Sequence, residues 1–141
     1  MKLFMNILVI DAQGGGIGKQ LVSAIKQNIP EAKITAVGTN VSATSAMLKA
    51  GADGAATGEN AVVVNCRRAD IIVGPVGIVV ADSMLGEVTP KMALAVAQSD
   101  AIRVLLPFNS CNTRVVGVAA QGMAAQVEDA VREIKSAISK S

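Results

Sequence analysis

The chain has 141 residues, of which 51% are apolar and 17% charged, with a formal net charge of +2. That length suits a single domain spanning residues 1–141, and that composition is too apolar for disorder. Histidine, tyrosine and tryptophan are absent. Ser-His-Asp and Cys-His catalysis and His-based metal sites are therefore excluded, and any acid, base or nucleophile must be Asp, Glu, Lys, Cys, Ser or Thr.

Lysine and arginine are scattered rather than striped, and only Phe4 and Phe108 could stack on bases. No nucleic-acid partner is expected from that pattern. The two cysteines, Cys66 and Cys111, form no CxxC and no disulfide framework, so no metal site is expected. The longest uncharged stretch, Val115 to Val127, is too short and too rich in Gly, Ala and Gln for a membrane span. Without a signal-peptide pattern, the expected location is cytoplasmic. High apolar content with little charge also suggests a homo-oligomer.

In chain order, Ile7–Ile10 is a continuous apolar run rich in β-branched residues, as in a central parallel strand. Leu21, Val22, Ile25 and Ile29 then recur at helical spacing, predicting a helix from Gly18 to Ile29 that Pro30 ends. A second strand is predicted at Ile34–Val37, a helix at Ser42–Ala50 with Gly51 as its stop, and a short strand at Gly54–Ala56. Asn60–Arg68 is ambiguous. Val62-Val63-Val64 favours a strand, but a parallel sheet needs a crossover here, so a helix is predicted.

Asp70–Val73 is the next strand, and Ile78–Leu85 is predicted as a short helix ended by Gly86. Thr89-Pro90 combines an N-cap with proline at the first helical position, opening a helix to about Ser99. Strands are predicted at Ile102–Leu106 and Arg114–Val118. The seven residues Pro107–Thr113 are too few for a parallel crossover, so the last strand is expected to be an antiparallel edge strand. Met123–Ile138 is amphipathic, with Val127, Val131, Ile134 and Ile138 as its stripe and Glu128 four residues before Arg132. The pattern is α/β: a doubly wound, mostly parallel, Rossmann-like sheet.

The first turn, "DAQGGGIGK", carries the chemical signal. Gly14 and Gly16 match the dinucleotide fingerprint GxGxxG, but Lys19 stands at the third glycine. Gly18-Lys19 matches part of a P-loop, but Gln13 replaces its first glycine and Gln20 its magnesium-binding hydroxyl. Asp11-Ala12-Gln13-Gly14-Gly15-Gly16-Ile17-Gly18 resembles the TGxxxGIG turn of short-chain dehydrogenases, with Asp11 for Thr and Ala12 for Gly. "DIIVGPVG" at Asp70–Gly77 loosely resembles the strand end lining the adenosine in that family. The resemblance implies a fold and an NAD(P)-like dinucleotide as cofactor. It does not extend to the chemistry, because that family needs a tyrosine. Asn40 also stands where an acidic residue usually binds a ribose.

Over nearly its full length the chain resembles a family of short bacterial Rossmann-like proteins known only as a domain of unknown function. The carrying stretches are "NILVIDAQGGGIGK", "GPVGIVVADSMLGEVTP" and "LPFNSCNTRVVGV". This resemblance implies a fold and no activity.

Glycines let a backbone approach a ligand, and the N–H groups opening the next helix favour an anion. Lysine is disfavoured at a helix N-terminus, so Lys19 is more easily explained by a bound anion, a phosphate or another. The expected site comprises Asp11, Gln13, Gly14, Gly15, Gly16, Ile17, Gly18 and Lys19, flanked by Asn40, Gly74, Pro75 and Asn109 from the other loops at the strand carboxyl ends. Its ligand is a phosphate-bearing small molecule, a nucleotide or dinucleotide. The plain alternative is a tight turn with Lys19 in water. Two further readings are an enzyme using Cys111 or an Asp11/Lys19 pair, and an oligomeric assembly module without a ligand. The ligand's identity, any reaction, the pathway and the oligomer number lie beyond the sequence.

Overall fold

A computed structural model describes residues 5–108, 112–119 and 121–140. Five strands alternate with helices: β1 (Asn6–Asp11), α1 (Gly16–Asn28), β2 (Lys33–Gly38), α2 (Val41–Lys49), β3 (Gly54–Thr57), α3 (Glu59–Arg68), β4 (Ile71–Pro75), α4 (Pro90–Gln98), β5 (Ile102–Leu106) and α5 (Met123–Ser139). Strand order is β3-β2-β1-β4-β5, and every pairing is parallel. This is the doubly wound α/β fold that the alternating pattern predicts.

The continuous apolar run in β1 is explained by burial on both faces. Ile7 and Val9 pack with Leu21, Val22 and Ile25 of α1, Met47 of α2 and Val127, Val131 and Ile134 of α5. Leu8 and Ile10 point the other way, into Val62 and Cys66 of α3 and Met92 and Val96 of α4. The chain thus reverses its winding between β1 and β4. The carboxyl ends of those two strands open onto the crevice where such sheets bind ligands.

Local capping sets several starts. The Asn40 side chain accepts the Ala43 N–H at 2.9 Å, and Thr89 accepts that of Met92 at 3.2 Å with Pro90 next in line. The valine run at Val62–Val64 is helical, because the crossover outweighs strand propensity. In α5, Arg132 pairs with Asp129 at i,i+3 rather than with Glu128.

Two elements differ from the sequence pattern. Ile78–Leu85 is not an α-helix: Val76–Val79 forms a 3₁₀ turn, and turns continue to Glu87. Ser83 Oγ donates to the Gly77 carbonyl at 2.5 Å, which competes with a helical ladder. Asp82, Met84 and Leu85 adopt φ of 65, 54 and 59°, which no right-handed helix accepts. The predicted antiparallel edge strand at Arg114–Val118 is not a strand either. Gly117 takes φ 81° and turns the chain, while Val116 stands 92% exposed, so the β-branched residues have no neighbouring strand to pack on. Among the described residues the sheet is wholly parallel and β5 pairs with β4 alone.

Candidate functional site

The turn after β1 is built around Asp11. Its side chain is only 4% exposed, and the backbone holds it: Oδ1 accepts the Ala12 N–H at 2.8 Å and Oδ2 the Gly18 N–H at 2.6 Å. Burial raises its pKa, the Gly18, Ala12 and Ile17 amides lower it, and the nearby Glu87 charge adds to the rise; the net shift is upward. Part of the positive N-terminus of α1 is therefore already matched by the protein's own carboxylate. Asp11 takes backbone amides here, not Lys19.

The glycines divide into two groups. Gly15 sits at φ 72°, and a Cβ there would lie 2.9 Å from the Ala43 Cα, so this glycine lets α2 approach the turn. A Cβ at Gly18 would meet the Met47 Sδ at 2.6 Å and the Asp11 Cβ at 2.8 Å. Gly18 therefore does the close-packing work of a fingerprint's third glycine, one residue before Lys19. Gly14 and Gly16 are different: a Cβ at either meets nothing within 4 Å. They face open space over a cleft of about 190 Å³, lined also by Ile17, Pro75, Met84, Phe108 and Met123.

The remaining expected residues separate. Lys19 is exposed and lines a groove between α1 and α2, together with Gly14, Ser23, Ser42, Ser45 and Lys49, rather than the cleft. The structure therefore does not unite Asp11 and Lys19 as a pair. Gly74 is a packing residue, since a Cβ there would fall 2.5 Å from the Ile10 carbonyl oxygen, while Pro75 beside it lines the cleft. Asn40 ties loops together: Nδ2 donates to the Gln13 carbonyl at 3.0 Å and to Glu87 at 2.8 Å. Asn109 and Cys111 lie outside the described residues.

Glu87 is the residue that the sequence pattern missed. Its Oε1 accepts from the Gln13 N–H at 2.8 Å, the Thr39 hydroxyl at 2.7 Å and Asn40 Nδ2. Burial raises its pKa, but these three bonds outweigh burial and the net shift is downward. The loop after β4 thus delivers a carboxylate to the carboxyl end of β2, the position where Asn40 stands in the sequence and where folds of this type place a ribose-binding acid. Among the described residues all three bonds end on Oε1 and none reaches Oε2, which leaves that oxygen its acceptor capacity. No motif spacing encodes this arrangement, because it depends on the left-handed loop at Asp82–Leu85.

Cys66 is buried in the α3–α4 core, and burial pushes its thiol up to about 11. Among the described residues there is no group of three metal-ligating side chains, and no helix is long and apolar enough to cross a membrane.

Among solved structures, the chain is similar to a dodecameric FMN-dependent Ubix-like decarboxylase from Escherichia coli O157:H7. Identity is 14% and the TM-score 0.48, over 96% of this chain and 94% of that one. A likeness at that level transfers no ligand and no reaction. No curated protein matches the sequence. A family model matches residues 6–139, and the chain belongs to that family, described as a domain of unknown function, DUF3842.

Proposed function

We propose that this protein binds a phosphate-bearing small molecule of nucleotide type at the turn Gly14–Ile17, in the cytoplasm. The carrying observation is that Gly14 and Gly16 open onto a cleft at the β1/β4 switch point, at the positive end of α1. A phosphate would rest against the Gly14 and Gly16 amides, and an apolar ring against Met84, Phe108 and Met123. Glu87 does not line the cleft itself but holds the N–H of Gln13, which does, so a sugar hydroxyl reaching past Gln13 would meet its Oε2. The cleft is smaller than the roughly 300–1,000 Å³ usual for small-molecule pockets. That favours one nucleotide unit over a whole dinucleotide. Asp11 is a structural counter-charge in this reading, with no reaction assigned to it.

The test uses Gly16→Leu. Gly16 opens α1, has an ordinary backbone conformation and has room for a side chain, so the variant should fold within about 1 kcal/mol of wild type. Its side chain would fill the cleft. Calorimetric titration with AMP and ADP should show saturable binding to wild type and at least a hundredfold loss in the variant. Equal affinities would overturn the proposal.

A further inference from the structure

The groove between α1 and α2 is larger than the cleft, about 630 Å³, and differs from it in chemistry. Lys19, Ser23, Ser42, Ser45 and Lys49 line it, and no carboxylate does. Among the described residues neither lysine is held in an ion pair, whereas Lys26 pairs with Asp53 and Arg132 with Asp129. Lys49 closes α2, where a cation suits the helix dipole by itself. Lys19 has no such excuse, because it stands in the first turn of α1, where a cation is disfavoured. Ser42 lies in the first turn of α2, so the positive end of a second helix borders the same groove. Lysine ammonium groups, serine hydroxyls and a helix start together complement a phosphate oxyanion. The groove and the cleft meet at Gly14, which lines both and leaves its side open.

We infer that the α1–α2 groove is a second anion subsite. It takes a further phosphate of a ligand whose first phosphate rests at Gly14–Ile17, with Lys19 and Lys49 neutralising the charge. The ligand class is then a small molecule with at least two phosphate groups. The identity of the whole ligand rests on the reading of the turn, but the groove's own affinity does not.

The probe is inorganic pyrophosphate, titrated against inorganic phosphate at fixed ionic strength and followed by amide NMR. Pyrophosphate should bind at least tenfold more tightly than phosphate and shift the amides of Lys19, Ser42 and Ser45. Lys19→Glu and Lys49→Glu should each remove tenfold or more of that affinity, and Lys135→Glu, on the exposed face of α5, should not. Pyrophosphate affinity unchanged in both Lys19→Glu and Lys49→Glu, or an equal loss in Lys135→Glu, would overturn the subsite. Gly16→Leu separates the two readings, since it blocks the cleft and leaves the groove lining intact. Pyrophosphate binding kept with AMP binding absent from wild type would defeat the turn and leave the groove. AMP binding kept with no pyrophosphate binding would do the reverse.

Discussion

Asp11 and Glu87 are two carboxylates near one turn with opposite shifts, and their opposite signs are measurable. Asp11 is raised, chiefly by burial, so folding favours its protonated form. Its contribution is fully present below the unfolded value, about 3.8, and is lost as pH rises through the folded value. The stability of wild type relative to Asp11→Asn should therefore fall as pH rises from below that value to neutrality. Glu87 is lowered, since its three hydrogen bonds outweigh burial. Its contribution is present above the unfolded value and lost as pH falls through the folded one, so wild type should lose ground to Glu87→Gln on acidification. Urea midpoints across this range check both, and parallel slopes for the two variants would contradict the assignment. Cys66, its thiol pushed up to about 11 by burial, should resist iodoacetamide in the native protein at neutral pH and react in urea, as read by peptide mass.

At the scale of elements, β4 lies so close to β1 that only glycine fits at position 74. Gly74→Ala would press a methyl group onto the Ile10 carbonyl oxygen and force backbone to move. About 3 kcal/mol of stability should be lost, measured by urea unfolding; a neutral substitution would show that the contact relaxes freely. The same scale separates what the sequence made legible from what it did not. β1, α1, β2, α2 and α5 announce themselves, because their apolar residues repeat with the period of the element they form. Arg114–Val118 misleads, because β-branched content promises a strand only where a neighbour exists to pair with. Val76–Glu87 misleads because one serine-to-carbonyl bond and three left-handed residues override its apolar spacing. The candidate site was legible where it is local: the turn from Asp11 to Gly18 is readable as a glycine-permitted approach to a helix start. The third-glycine role was shifted by one residue. Glu87 was invisible, since it reaches Gln13, Thr39 and Asn40 only through the folded loop.

For the whole molecule, the sheet's winding reversal between β1 and β4 is what brings the glycine turn, Pro75 and the Met84 loop together. β5 remains an edge strand paired on one side only among the described residues, with Ile102 half exposed. An uncovered edge is a template for pairing with a second copy, and we propose self-association through it. Sedimentation at micromolar concentration should show an oligomer that Ile102→Lys weakens. A strictly monomeric wild type would remove that expectation and leave the ligand site untouched.

An amide NMR titration of wild type with ADP asks whether the turn after β1 receives a phosphate. The amides of Gly14, Gly16 and Ile17 should move saturably, together with those around Glu87 and Thr39. If these signals stay fixed at millimolar ADP, the turn is a packing device that brings β1, α1 and α2 together and holds no nucleotide.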